Sequence, residues 1–254
     1  MARGIAIEDV SKTYDGSRNE PVLALTPTDL TLRPGEFFSL VGPSGCGKST
    51  LLNMVAGLLP PSTGVIRIGG EEITQPQRST GIVFQNATLL RWLTVRENIL
   101  LPAKIGGKSL VEARRLAEHY LDIVGLSDAA DRYPAELSGG MQQRASIVRA
   151  LVSDPEVLLM DEPFSALDEF TRETLQDEML RLWTERPKTV LFITHNIAEA
   201  AYLSDRVGVM SAHPGRLDAI VEIPLGRPRT PDIRSESTFF EIVAGIRTQI
   251  GPHS

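Results

Sequence analysis

Nine consecutive residues, Gly42-Pro43-Ser44-Gly45-Cys46-Gly47-Lys48-Ser49-Thr50, set glycines, a lysine and hydroxyls at the spacing G-x-x-x-x-G-K-[ST]. Glycine has no Cβ, so the backbone can curl until successive N–H groups converge on an anion. Lys48 adds a point positive charge suited to the β- and γ-phosphates of a nucleotide, and the Ser49 hydroxyl suits Mg²⁺. Such a loop needs a metal partner. The apolar run Val157-Leu158-Leu159-Met160 ends in Asp161-Glu162. Asp161 is placed to hold Mg²⁺, directly or through water, and Glu162 to polarise an attacking water as general base. A second anion site is spelled by Leu137-Ser138-Gly139-Gly140-Met141-Gln142-Gln143-Arg144, where a hydroxyl and two glycines open a predicted helix. Two phosphate-binding elements and one nucleotide per site point to a composite site, the loop of one copy facing the second element of another.

Three more residues sit where such chemistry needs them. Gln85 ends a predicted strand, where a neutral amide can reach Mg²⁺ or the attacking water. Thr194-His195 ends another, which lets His195 bond the γ-phosphate. Tyr14 is an aromatic at a strand end, fit either to stack on an adenine ring or to pin a turn at Asp15-Gly16.

The elements that must position these groups follow from patterning. Phe37-Phe38-Ser39-Leu40-Val41 is a continuous apolar run and predicts a buried strand feeding the glycine loop; residues 48–57 predict the helix after it. Further strands are expected over 5–10, 23–32, 65–68, 81–84, 157–160, 189–193 and 207–210, and a hairpin's worth of β structure over 215–225. From 86 to 152 the spacing becomes helical. Thr94 with Glu97, and Ser109 with Glu112, have capping-box spacing. Leu110, Ala113, Leu116, Ala117, Tyr120, Leu121 and Val124 form an apolar stripe, and Ser138 to Leu151 predicts a third helix. Helices are also expected over 169–184 and 198–203. Residues 227–231 read as a linker and 233–250 as a weakly amphipathic terminal helix. Alternating strands and helices predict an α/β fold with a largely parallel sheet.

Composition narrows the function classes. A net charge of −6, from 26 Lys and Arg against 32 Asp and Glu, argues against a nucleic-acid partner. The one cysteine, Cys46, has no internal disulfide partner, which suits a reducing compartment, and its small side chain is read as tolerated in the loop. No signal segment and no membrane span is expected. If the protein works at a membrane, it must dock on another protein.

The ordered set of Tyr14, residues 42–50, Gln85, Leu137 to Arg144, Leu158 to Pro163, Ser165-Ala166-Leu167-Asp168 and His195 resembles the ATP-binding cassette (ABC) ATPases across nearly the whole chain. That resemblance implies a P-loop NTPase (RecA-like) core with an antiparallel β subdomain and an inserted α-helical subdomain. It implies an ATPase domain over 1–230, the helical insert over about 86–152, and a tail over 231–254. ATP and Mg²⁺ are the implied cofactors. Tyr14 stacks on adenine; Gly42 to Thr50 cradle the phosphates; Ser49, Gln85 and Asp161 serve the metal; Glu162 is the base; His195 is the switch histidine. Ser138, Gly139 and Gly140 contact the γ-phosphate held by a second copy, and Ser165 to Asp168 lie across that interface. Met141 departs from the commonest signature, and Asn196 stands where an acid is frequent.

Residues 90–98, the Asp161-Glu162-Pro163-Phe164 turn and residues 221–229 are similar to the nitrate, sulfonate and taurine importer ATPases, although Ser165 stands where that group more often has glycine. The expected partners are a second copy, transmembrane permease subunits and, indirectly, a solute-binding protein. The expected place is the cytoplasmic face of the inner or plasma membrane, as a peripheral subunit. Trp92 either anchors the helical insert or lines a groove for a permease helix, and the resemblance favours the groove. The alternatives are a soluble non-transport ABC ATPase, an exporter ATPase, or an ATP-gated interaction module.

Overall fold

In the computed structural model, which describes residues 2–15 and 20–250, β1 (Ile5–Asp15) and β2 (Pro21–Leu32) pair antiparallel. Ile5, Ile7 and Val10 of β1 are buried. The alternation skips at Glu8-Asp9, where the register shifts against both neighbours. A bulge does this by setting two residues of one strand against one of its partner. The turn expected at Gly16 lies outside the described residues.

β3 (Phe37–Val41) is buried along its length and runs through residues 42–47 into α1 (Lys48–Val55). β4 (Thr63–Ile68) pairs with β1, and a turn at Gly69-Gly70 returns it into β5 (Glu71–Glu72). β6 (Thr80–Val83) then leads to three helices, α2 (Val95–Gly106), α3 (Leu110–Ile123) and α4 (Gly139–Val152). Both arms of the capping box form at α2: Thr94 Oγ1 accepts the Glu97 N–H at 3.2 Å and Glu97 Oε2 accepts the Thr94 N–H at 2.9 Å. At α3 only one arm forms. Ser109 Oγ accepts the Glu112 N–H, but the Glu112 carboxylate takes a two-pronged bond from Arg115, 2.7 and 3.1 Å. A charged fork three residues on outcompetes a single backbone donor for those oxygens. Leu110, expected in the α3 stripe, is exposed.

The chain continues through β7 (Val157–Asp161), α5 (Glu169–Glu185), β8 (Thr189–Ile193), α6 (Ile197–Leu203), β9 (Arg206–Ser211) and β10 (Arg216–Glu222). Residues 215–225 thus supply one strand, hairpinned onto β9 with Arg216 opposite Ser211. The expected linker is held in place. Arg227 pairs with Asp205 and covers the Trp183 ring, 4.1 Å from its centroid. Arg229 is buried and donates to the carbonyls of Ala201, Tyr202 and Ser204 at the end of α6, where a helix dipole favours a cation. Burial, with Arg227 alongside, lowers its pKa to about 10. The last helix, α7 (Ser237–Ile250), starts later than expected, after a 3₁₀ turn over Pro231–Ser235, and buries Phe239 and Ile246.

Two sheets result. One is antiparallel in the order β2-β1-β4-β5; the other runs β10-β9-β3-β8-β7-β6 and is parallel except for β10. β3 and β8 are buried on both faces, as parallel strands covered on each side must be. The side chains of β3, β7 and β8 alternate between two cores. Phe37, Val41, Leu158, Met160, Val190 and Phe192 face the side of the helices α2 to α5, while Phe38, Leu40, Leu159, Leu191 and Ile193 face the side of α1 and the antiparallel sheet. Among the described residues no helix is long and apolar enough to cross a membrane. Parallel pairing brings the carboxyl ends of β3, β6, β7 and β8 to one edge, the place where open α/β sheets hold ligands.

Candidate active site

At that edge β3 releases the glycine loop. A Cβ on Gly42 would sit 2.4 Å from the Met210 carbonyl oxygen, so only glycine lets the chain leave β3 so close to β9. Gly47 precedes α1 with φ 89°, a left-handed conformation that costs other residues about 1–2 kcal/mol. Lys48 is buried, and its ammonium donates to the Gly42 and Pro43 carbonyls at 2.8 and 2.9 Å. Cys46 is buried, with Sγ 3.5 Å from the same nitrogen. The Ser49 hydroxyl bonds the Asp161 carboxylate at the end of β7. Burial pushes the Asp161 pKa up. The Ser49 bond and the Lys48 charge pull against that, and neighbouring Glu162 adds to it.

Glu162 has φ 44°, a strained conformation for a non-glycine residue. Its backbone is held there: its N–H donates to Ile193 O at 2.9 Å, and its carbonyl accepts from Ser165 N at 3.2 Å and Ser165 Oγ at 2.9 Å. Ser165, which departs from the pattern of the similar importers, therefore adds a bond that glycine lacks. The Glu162 side chain meets two other expected site residues. Oε2 accepts from Gln85 Nε2 at 3.4 Å and lies 3.1 Å from His195 Nδ1. Gln85, Glu162 and His195 come from the ends of β6, β7 and β8.

Tyr14 is partly exposed beside the first turn of α1. Its hydroxyl is 3.5 Å from Thr50 Oγ1, and the Lys12 ammonium lies 5.3 Å from its ring centroid. Ser138 caps α4, its Oγ accepting the Met141 N–H at 3.3 Å, so Gly139 and Gly140 form the open first turn. A Cβ on Gly140 would lie 3.3 Å from Leu167 Cδ2. Asp168 caps α5, and the Thr171 N–H on its carboxylate holds its pKa low. Among the described residues no hydrogen bond or ion pair joins Ser138, Gly139, Gly140 or Asp168 to residues 42–50. Within one chain the structure therefore joins Ser49 to Asp161, and Gln85 and His195 to Glu162, while among the described residues no such bond ties Ser138, Gly139, Gly140 or Asp168 to them.

Two residues with structural consequences carry no role in the sequence reading. Glu199 is buried on α6 and accepts the Thr194 hydroxyl at 2.7 Å. Its signal was the spacing Asn196-x-x-Glu199, a capping-box pattern whose acid turns to a threonine instead. Asn98 is fully buried. Its Oδ1 accepts the Leu90 N–H at 2.7 Å, and its Nδ2 donates to the carbonyls of Leu90, Leu93 and Thr94. This one side chain shapes the 90–94 segment and holds Trp92 72% exposed, which excludes Trp92 as an anchor of the helical block. Asn98→Ala is expected to cost about 2–4 kcal/mol, because it leaves several backbone groups unpaired at once. Urea unfolding with an unchanged slope and an unshifted midpoint would contradict this.

A family model described as ABC transporter matches residues 25–165. The chain is 45% identical over 242 residues to a bicarbonate transport ATP-binding protein of Synechocystis sp., covering 94% of this chain and 86% of that protein. It is 44% identical over 221 residues to a taurine import ATP-binding protein of Jannaschia sp., covering 87% and 82%. Among solved structures, a dimeric post-hydrolysis ATP-binding cassette bound to ADP and Pi superposes with a TM-score of 0.79 at 33% identity, over 87% of this chain and 100% of that one. A dimeric bacterial ABC transporter cassette matches at the same TM-score and 34% identity.

Proposed function

The chain belongs to the ABC transporter family of ATP-binding proteins, and from that premise we propose that it is the ATP-hydrolysing subunit of an importer of small anions. The observation that carries the site assignment is the contact of Gln85 and His195 with one oxygen of Glu162, next to Asp161 and the Lys48–Ser49 turn. Asp161, the Ser49 hydroxyl and the Gln85 amide form a set of one carboxylate and neutral oxygens. That set suits Mg²⁺, which takes few protein ligands and completes its shell with phosphate and water. When bound, the ion neutralises charge on the phosphate oxygens.

The chain's own residues do the rest. Loop 42–50 binds the phosphates, and Lys48 exchanges loop carbonyls for phosphate oxygens. Glu162 Oε2 faces Gln85 and His195, which leaves Oε1 to take the proton of the attacking water. His195 donates to the γ-phosphate. Tyr14 stacks on the adenine. Tyr14→Ala is expected to weaken ATP binding about tenfold while Tyr14→Phe keeps it, since base–aromatic stacking contributes about 1–3 kcal/mol and needs no hydroxyl. Equal loss in both variants, read by titrating a fluorescent ATP analogue, would place the role in the Thr50 contact instead.

The second anion element, Ser138 to Gly140, completes the site of a second copy, so ATP holds two copies together and hydrolysis lets them part. The dimeric cassettes that resemble this chain support that reading. In this reading the cassette spans 1–230, with a helical insert at about 86–152 and a tail over 231–254. The exposed Trp92 and the segment that Asn98 shapes are where permease subunits dock, holding the protein at the cytoplasmic face of the membrane. The relatives transport bicarbonate and taurine by name; the solute here is of that class, an anion such as nitrate, a sulfonate, taurine or bicarbonate. It is selected by the permease and a separate binding protein. The test is ATP turnover by the purified chain against protein concentration. Turnover per molecule that rises with concentration, and stops when Mg²⁺ is chelated, supports the composite site. A flat rate from a species that sizes as a monomer with ATP overturns it.

A further inference from the structure

An unbroken line of contacts runs inside one subunit from loop 165–168 to His195. Arg172, in the second turn of α5, donates from Nη2 to the Leu167 carbonyl at 3.0 Å. Its Nε points at Glu199, 3.6 Å from Oε1. That distance is an ion pair and too long for a hydrogen bond, and the Nε is buried with no hydrogen-bond partner. The other oxygen of Glu199 accepts the Thr194 hydroxyl, and Thr194 Oγ1 in turn accepts the Asn196 N–H at 3.0 Å. Thr194 and Asn196 are the two neighbours of His195 in the chain. Asn196 Oδ1 also accepts the N–H groups of Ala198 and Glu199. Both sides of the histidine are thus fixed by a network whose far end is the Leu167 carbonyl. Leu167 itself packs under Gly140, in the element assigned to a second copy's nucleotide.

We propose that Arg172 is a positioning residue for His195, which transmits the placement of loop 165–168 through Glu199 and Thr194. The proposal rests on the reading of His195 as the γ-phosphate contact and of loop 165–168 as facing a second copy. When that copy seats against the loop, a shift of about half an ångström brings Arg172 Nε within hydrogen-bond reach of Glu199. The acid, already anchored to Thr194, then stiffens the strand end that carries the histidine. An Nε that is ion-paired with Glu199 yet without a hydrogen bond is what such a link needs: the bond forms when the interface does. If Arg172 only balances the charge of buried Glu199, any cation of similar length serves.

The test is a set of full-length variants: Arg172→Met, Arg172→Lys, Glu199→Gln, His195→Ala, and Arg172→Met with His195→Ala. Each is measured for kcat, KM for ATP and Tm. Arg172→Met is expected to lower kcat about tenfold, the scale of a misplaced catalytic group, with KM within about twofold. On the His195→Ala background it adds nothing further, because its effect passes through the histidine. Arg172→Lys recovers Tm without kcat, since a single ammonium nitrogen does not reproduce the fixed fork in which Nη2 faces Leu167 while Nε faces Glu199. Glu199→Gln keeps an acceptor for Thr194 and gives the same pattern, so the proposal stays testable if Arg172→Met folds poorly. An equal kcat loss in both backgrounds, recovery of kcat by Arg172→Lys, or wild-type kcat in Arg172→Met overturns it. Wild-type turnover in His195→Ala alone removes the role of the histidine, and the proposal with it, by a separate route.

Discussion

Glu162→Gln is expected to bind ATP as tightly as the parent protein, to lose ATP turnover by about 10²–10⁴-fold, and to accumulate as an ATP-bound dimer. The substitution changes little except the proton acceptor. Glutamine keeps the length of the side chain and retains an oxygen for the Gln85 amide, 3.4 Å away in the parent. It also leaves the backbone bonds to Ile193 and Ser165 intact, so the strained φ of 44° persists. Nothing in loop 42–50 or at Asp161 is altered, so nucleotide affinity stays. If hydrolysis is what opens the dimer, blocking it converts a transient species into a stable one, visible by sizing with and without ATP. Turnover at the parental rate would strip Glu162 of its role as base. Lost turnover without dimer accumulation would keep the base and remove the closure cycle, so the two parts of the reading fail separately.

The chemistry was more legible in the sequence than the wiring that holds it. Loop 42–50 and the Asp161-Glu162 pair stand out because the chemistry proposed for them requires particular residue types at fixed spacing, and the apolar runs that precede them are the buried strands β3 and β7. Contacts between distant segments leave no such spacing. Arg172, Glu199 and Thr194 look in sequence like a helix-surface arginine, a first-turn acid and a strand-end hydroxyl. Only folding brings α5, α6 and β8 together. Asn98 reads as an ordinary polar residue in a helix, and four backbone partners four to eight positions earlier make it a core residue. Residues 227–231 looked like a linker on their Pro and Arg content. Composition does not show that the carbonyls at the end of α6 lie within reach of Arg229. The Glu112 carboxylate, expected to cap α3, shows the same limit on a local scale, since two donors competed for it and spacing alone favoured both.

Lys48→Ala is expected to act one step earlier, at binding. The ammonium is buried and shares its donors between the Gly42 and Pro43 carbonyls, so two effects of removing it must be separated. In the absence of nucleotide, those carbonyls lose a charged donor and the loop loosens, at a cost of about 1–3 kcal/mol to the protein. With nucleotide, the phosphates lose the one side-chain cation of the loop, and a charge-assisted bond of about 1.5–3 kcal/mol is lost, which is about 10- to 150-fold in affinity. A thermal-shift series separates the two. Ligand stabilisation follows RT ln(1 + [L]/Kd), about 2.7 kcal/mol when ATP is at 100 times its Kd. The variant is expected to show a lower Tm without ATP and almost no rise with the ATP concentration that stabilises the parent. Lys48→Arg is expected to fail as well, because a planar fork cannot occupy a space shaped by two carbonyls and a buried sulfur 3.5 Å away. If Lys48→Ala is destabilised yet gains the full ATP shift, the lysine is a loop clamp and the phosphates are held by backbone N–H groups alone. If neither Tm nor the shift changes, the loop is not the nucleotide site, and the roles of Ser49, Asp161 and Glu162 fall with it.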